Sequence, residues 1–321
     1  MNEYIIDIQN PCKINIKNGV LHIHLYKQDA IQKVAIIDIA VLIISNKEVT
    51  ITSLAIAELS NSSVIIIFTD KNLLPVSICS GKVVNTNGSY RPFLQAKYID
   101  TTYSQNWHKQ LIQSKVTSQA FILDIFACKD SFKLLNLSKK VKEADSSNIE
   151  AQASRIFWSN FFTNYETTTK RVKQGATDII NISLNYGYTI IRAMVARAIF
   201  SYSLHSGFGI IHIRKDNPYN LVEDFIEPFR FICEQTIFRI FDKKDTKNLI
   251  FDKYIKQEII NTVLNATVKI QDKDYRILSA IDKVIVSFCQ SLETPNKKLL
   301  LPFISDNRQK QSENIEQKIY V

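Results

Sequence analysis

Apolar and polar residues alternate with a period of two along "CKINIKNGVLHIHLY", on both sides of an "NG" pair, and this pattern predicts a β-hairpin. "QKVAIIDIAVLIIS" and "SSVIIIFTD" are short β-branched apolar runs between polar turns, the pattern of buried strands. Between them, "ITSLAIAELSNS" reads as a short helix. The chain holds only seven glycines, and Gly81 and Gly88 flank the polar "KVVNTN", which reads as a linker. From about Tyr90 the periodicity becomes helical. "RPFLQAKYIDTTYSQNWHKQLIQSKVTSQAFIL" carries apolar residues three and four apart, and "NIEAQASRIFWSNFF" starts a helix behind the capping types of "DSSN". "ATDIINISLNYGYTIIRAMVARAIFSYSL" is apolar nearly all round, which predicts a buried central helix or a broken pair. The pattern gives an α+β fold: a small N-terminal β-sheet domain (1–85), a linker (86–90), a larger all-α C-terminal domain (91–303) and a polar tail (304–321).

Composition narrows the class. At 321 residues, 45% apolar and 22% charged, the chain is long enough for two globular domains. Forty Lys and Arg against 31 acids give a formal +9, which favours a polyanionic partner such as nucleic acid. The five Cys are odd in number, widely spaced and without a CxxC pair, so they read as reduced core thiols. "MNEYIIDIQN" has no basic, signal-like start, and the longest uncharged stretch, Ala198 to Ile213, is too short and polar to span a bilayer. A cytoplasmic, soluble protein without membrane contact is expected.

Three places in the helical part offer hard or borderline metal ligands: Glu150, His212 and the Asp224/Glu227 pair. Glu150 opens a helix, His212 precedes the loop "RKDNP", and Asp224 and Glu227 are three apart and share a helix face. One imidazole and two carboxylates from separate elements suit Mg2+ or Mn2+ with positions open to phosphate oxygens, and suit Zn2+ less well. Each also has an ordinary reading. Glu150 can serve as a helix-dipole partner, Glu223 and Asp224 as first-turn acids, and His212 as a satisfied core histidine. His22 and His24, on an expected edge strand, and His108 and His205 carry no motif and read as structural.

Several longer pieces resemble a known family. "NIEAQASRIFW", "DIINISLNYGYTIIRAMVARAI" and "HIRKDNPYNLVEDFIEPFR" resemble the CRISPR adaptation integrase, the large subunit that inserts new spacers into CRISPR arrays. "IIDIAVLIISNKEVTIT" followed by "VIIIFTDKNLLPV" is similar to that family's β domain, so the resemblance covers roughly residues 10 to 300. Its most specific pieces are D-x-x-N-x-x-L-N-Y-G-Y (Asp178 to Tyr188) and N-x-x-x-D-x-x-E-P-F-R (Asn220 to Arg230). The E-P-F-R ending is most similar to members encoded beside the large single-protein RNA-guided effector nuclease.

The resemblance implies a metal site of Glu150, His212 and Glu227, with Asp224 behind it and Mg2+ or Mn2+ as the ion. It implies a metal-dependent DNA endonuclease/integrase, in which the 3′-hydroxyl of a spacer precursor attacks a repeat phosphodiester. No Ser or Cys nucleophile motif competes with that chemistry. Many members carry His or Asn directly after the motif His, where this chain has Ile213 and Arg214; the departure touches local DNA contacts and leaves the ligand positions intact. Basic residues at Lys139, Lys140 and Lys142, and at Lys170, Arg171 and Lys173, are candidates for phosphate contact, with Lys243, Lys244 and Lys247 read as a solvated face. Arg214 and Lys215 are the favoured nucleic-acid-binding pair, because they follow His212 so closely. Tyr186 and Tyr188 read as core. Implied partners are double-stranded DNA (spacer precursor and CRISPR repeat), a second copy in a homodimer through the β domain, and a small ferredoxin-like CRISPR adaptation subunit in a heterohexamer. Two rivals remain at this point: a metal-dependent DNA nuclease that does not join DNA, and a non-catalytic nucleic-acid-binding scaffold.

Overall fold

The computed structural model describes residues 4–27, 30–69, 75–79, 88–165, 170–242 and 244–304. The chain divides into two compact units, built on Met1–Thr86 and Asn87–Ser305. The expected tail from residue 305 onward, most of the polar linker stretch and Lys243 lie outside the described residues.

The first unit contains β1 (Tyr4–Ile8), β2 (Cys12–Lys17), β3 (Val20–Leu25), β4 (Ala30–Ala35), β5 (Ile39–Ile44), β6 (Val49–Ile51), α1 (Ser53–Asn61), β7 (Ile65–Thr69) and β8 (Pro75–Cys79). They form two four-stranded sheets, ordered β1-β5-β7-β8 and β4-β3-β2-β6. The alternating segment makes the hairpin of β2 and β3, with Lys17 opposite Val20 and positive φ at Asn18 (53°) and Gly19 (72°), as a type I′ turn requires. Its period of two buries Cys12, Ile14, Ile16, Leu21, Ile23 and Leu25 on one face. β5 is buried at all six positions and pairs in parallel with both β1 and β7, which is why its sequence is an unbroken apolar run. Residues of both sheets and of α1, including Ile14, Ile23, Leu42, Ile66 and Leu59, form one core. β3 lies between β4 and β2, so His22 and His24 stand on an interior strand and not on the expected edge. The hairpin pattern fixes the β2 pairing of β3 but carries no information on what pairs with its other side.

The second unit contains α2 (Tyr90–Tyr98), α3 (Thr102–Ile125), α4 (Ser131–Ser138), α5 (Ile149–Phe162), α6 (Ile179–Ser201), α7 (Asn220–Ile226), α8 (Arg230–Phe241), α9 (Lys253–Leu264), β9 (Thr267–Ile270), β10 (Lys273–Arg276), α10 (Ile277–Glu293) and β11 (Phe303–Ile304). Helix begins at Tyr90, within the stretch expected as linker. The long helical pattern that follows is broken between α2 and α3, where Asp100 takes a φ of 56° and Thr101 caps α3 by accepting from the Ser104 N–H. The unit is not all-α: β10, β9 and β11 make a three-stranded antiparallel sheet. Strands of two to four residues are too short to impose a period on the sequence, and so they escape a reading by periodicity. The apolar stretch around Asp178 is one unbroken helix, α6, packed by α7, α8, α9 and α10. No helix among the described residues is long and apolar enough to cross a membrane.

The D-x-x-N-x-x-L-N-Y-G-Y piece has a local physical explanation. Asp178 caps α6 by accepting from the Asn181 N–H at 2.8 Å. Asn181 and Asn185 then accept from the Arg171 guanidinium, at 3.0 and 2.5 Å. Gly187 admits Cys233 of α8, since a Cβ there would lie 2.3 Å from the Cys233 sulfur. Tyr188 donates to Glu234 at 2.9 Å. Arg171 is therefore tied to α6, and burial lowers its guanidinium from the ordinary value.

Candidate metal centre

Four segments of the second unit build the site: α3, the start of α5, the loop before α7, and the turn Glu227–Phe229 that joins α7 to α8. Asp145 accepts from the backbone N–H groups of Ile149 (2.8 Å) and Glu150 (2.9 Å), satisfying the first donors of α5. That cap fixes Glu150 in the first turn of the helix, with its side chain about one-third exposed.

Asp224, fully buried on α7, organises the loop. Its carboxylate accepts from the backbone N–H groups of Ile210, Ile211 (3.1 Å) and His212 (2.9 Å), and its Oδ1 lies 2.7 Å from His212 Nδ1. The loop folds back closely enough that a Cβ at Gly209 would lie 1.9 Å from the His212 carbonyl oxygen, so only glycine fits there. Asn220 adds hydrogen bonds to the carbonyls of Gly207 (3.3 Å) and Arg214 (2.8 Å). With its ring Nδ1 against Asp224, His212 has Nε2 left for another partner, as a carboxylate-held metal histidine does. The hydrogen bond that the ring makes to the Asp224 carboxylate raises the imidazole above its ordinary value; burial opposes this, and the charges of Asp224, Glu227 and Glu223 reinforce it.

Glu227 is buried, 5% exposed, and its two oxygens meet two cations: Oε1 accepts from Arg230 at 2.6 Å, and Oε2 lies 2.7 Å from Lys115 Nζ. The same ammonium lies 2.5 Å from Glu150 Oε1. Burial alone would raise the Glu227 carboxyl, but Arg230 and Lys115 outweigh it and hold it at about 2. Glu227 is thus a carboxylate at any neutral pH. Lys115, itself buried, is raised from its ordinary value, because Glu227 and Glu150 overcome the cost of desolvation.

The structure therefore brings Glu150 and Glu227 together across one cation, with His212 near enough for its charge and that of Glu227 to act on each other. Among the described residues no three His, Cys, Asp or Glu side chains are grouped to hold a metal, and Lys115 stands between the two carboxylates. The donor set nonetheless fits a hard divalent ion: two ionised or ionisable oxygens converge on a point already held by a cation, and an imidazole is oriented by a buried acid. Asp224 spends its oxygens on the loop and the ring, which places it behind His212. Arg214 pairs with Asp216 at 2.7 Å, both side chains 70% exposed, and Lys215 is exposed beside them. These two basic residues line an open cleft with His205 and Phe208.

Three site residues were not singled out from the sequence. Lys115 and His108 lie seven apart on α3 and so share a face. Burial lowers the His108 imidazole, while Asp224, Glu150 and Asp145 pull the other way, so it sits within reach of the same acids. Arg230 covers the Tyr188 ring at 4.4 Å while it pairs with Glu227. The sequence carries no signal for Lys115, because the burial of its stretch "LIQSKVTSQA" is set by the packing of α3.

The fold is shared with solved structures of a casposase and of Cas1 proteins. A casposase bound to integration product superposes with a TM-score of 0.77 at 21% identity, covering 93% of this chain and 92% of that one. A Cas1 protein from Thermotoga maritima gives a TM-score of 0.76 at 13% identity, covering 92% and 99%. A Cas6-RT-Cas1–Cas2 complex gives 0.75 at 14% identity, covering 95% of this chain and 36% of that one. This is the fold common to Cas1 proteins and casposases. The chain belongs to the Cas1 family: the family described as CRISPR associated protein Cas1 matches residues 6–269. The CRISPR-associated endonuclease Cas1 of Neisseria meningitidis serogroup C (strain 8013) is 28% identical over 310 residues, which cover 92% of this chain and 95% of that protein.

Proposed function

We propose that this chain is the integrase subunit of CRISPR adaptation, joining the 3′-hydroxyls of a spacer precursor to phosphodiesters of the CRISPR repeat. The observation that carries the reading is the convergence of Glu150 and Glu227 on one cation position beside an Asp224-held His212, in a member of the Cas1 family. Glu150, His212 and Glu227 would hold Mg2+ or Mn2+, and the bound ion would supply charge stabilisation at the phosphoryl group and a more acidic attacking hydroxyl.

The chain's own residues then have separable tasks. Arg230 keeps Glu227 ionised from the side away from Lys115. Asp224 fixes the His212 ring with Nε2 forward. Arg214 and Lys215, exposed on the loop that follows, meet phosphates of the incoming DNA. In the reaction a bond forms between the spacer 3′-oxygen and the repeat phosphorus while the repeat's own P–O3′ bond breaks. One phosphodiester replaces another, so no nucleotide cofactor is needed.

The wider assembly belongs to the same proposal: the β unit pairs two copies of the chain, and a small ferredoxin-like subunit joins the dimers in a heterohexamer on double-stranded DNA. The presence of the same fold in a Cas6-RT-Cas1–Cas2 complex and in a casposase bound to integration product supports that reading. The test is incubation of the protein with supercoiled repeat-bearing plasmid and a short duplex ending in 3′-hydroxyls. Joined product is expected with the wild type and none with Glu150→Ala or His212→Ala. Cleaved plasmid without joined product would make this a nuclease, and joining that survives either substitution would dismiss the site.

A further inference from the structure

Lys115 is a buried lysine whose ammonium lies 2.5 Å from Glu150 Oε1 and 2.7 Å from Glu227 Oε2. The helix that carries it, α3, is 24 residues long and packs against both α5 and the Glu227 turn, so the lysine backbone is held in place. Glu227 Oε1 is satisfied by Arg230, whereas the buried Oε2 accepts no hydrogen bond of good geometry and has only the ammonium's charge. An oxygen so placed, opposite a second carboxylate oxygen, points at a cation position. Mg2+ and Mn2+ take oxygen ligands at about 2.0–2.2 Å, close enough to these separations that ion and ammonium cannot occupy the position together.

We propose that Lys115 is a positioning residue that acts as a placeholder cation. Without a divalent ion its ammonium holds the Glu150 and Glu227 carboxyl groups facing one another, and an ion enters by displacing it. Four methylenes let Nζ leave while α3 stays in place. Arg230 continues to neutralise Glu227 after the exchange, so the displaced lysine does not leave that carboxylate bare. The inference rests on the metal reading of the site, and deepens it: this chain sets a threshold ion concentration through competition from its own side chain.

The test is calorimetric titration of the full chain with Mn2+ alone, for wild type, Lys115→Met, Lys115→Gln and Glu227→Gln. Competition predicts that both Lys115 variants bind Mn2+ about tenfold more tightly, a free-energy gain of about 1.4 kcal/mol. Glu227→Gln should lose binding. Equal or weaker binding by both Lys115 variants, with Glu227→Gln still defective, overturns the placeholder and leaves the metal site standing. Absence of Mn2+ binding by every form overturns the metal site and the placeholder together. A measurement on the wild type stands apart from folding of the variants: Mn2+ should increase acylation of Lys115 by an amine-reactive reagent, read by peptide mass spectrometry. Unchanged labelling across saturating Mn2+ would sink the exchange.

Discussion

In the β unit the core joining the two sheets and α1 is almost wholly Ile, Leu and Val, and among the described residues Asp7 is the one buried Asp, Glu, Lys, Arg or His there. Among the described residues of the helical unit four charged side chains are buried: Lys115, Asp224, Glu227 and Glu234. Burying an ion is costly unless another ion or several hydrogen bonds compensate it; Lys115, Asp224 and Glu227 are compensated in this way, and Glu234 only in part, through Tyr188. The difference teaches where the chain accepts cost: the β unit is built for stability, and the helical unit gives up stability at the place where chemistry is proposed. It follows that the two units should respond differently to charge removal and to pH.

Asp224→Ala should give the largest effect. It leaves three backbone N–H groups and the His212 ring without their acceptor, and a loss of roughly 3–5 kcal/mol in the helical unit is expected. Amide hydrogen exchange checks this residue by residue: protection should fall in α6 and α7 and stay unchanged in the β2–β3 hairpin. Equal loss in both units would end the comparison.

Acid should give the next effect. Glu227 is held at about 2 against an ordinary 4.5, so the folded state binds its proton less readily than the unfolded chain. The resulting stability, on the order of 3 kcal/mol, is present above pH 4.5 and is lost as the pH falls toward 2. Urea unfolding followed against pH should show this acid limb in the helical unit, and Glu227→Gln should flatten it. An unchanged limb in that variant would assign the acid sensitivity to other carboxylates.

Much of this contrast was legible in the sequence, for physical reasons that also mark its limits. The β2–β3 hairpin was readable because period-two alternation and an Asn-Gly turn both act within a few residues. α6 was readable because a helix buried on all sides is apolar on all sides. The β9–β10–β11 sheet was not, since its strands are short and β11 joins from the far side of α10. Glu150 and Glu227 could be named as candidates, but the lysine between them could not. Lys115 lies 35 positions from Glu150 and is joined to it only by the packing of α3 against α5. Its burial is a tertiary fact, and a lone lysine in a helix ordinarily reads as a solvated one. Asp224 and Glu223, adjacent in sequence, also part company in space: Glu223 turns to Arg192 at 2.9 Å, while Asp224 turns inward to the loop.

The smallest effect tests the contrast inside the helical unit itself. Glu227 and Glu234 lie seven residues apart and are both buried, yet their carboxyls move in opposite directions. Burial raises Glu234 to about 6, and Arg230, the Tyr188 hydrogen bond and Lys115 only partly offset it, whereas at Glu227 direct contact with two cations prevails. Glu234 Oε2 accepts no hydrogen bond, so beside the charge of Arg230 the Tyr188 hydroxyl is the hydrogen-bond donor that supports the ionised form. A carboxyl raised in this way contributes stability that is complete below its ordinary 4.5 and is lost as the pH rises through about 6. Tyr188→Phe removes the hydroxyl donor and carries the Glu234 carboxyl higher still, extending that loss. The variant should match the wild type closely at pH 5, where Glu234 is mostly protonated in both, and fall about 1 kcal/mol below it at pH 8. Urea midpoints at the two pH values decide it. An equal deficit at both would mean that the hydroxyl matters for packing alone, and that direct cation contact is not what separates the two glutamates.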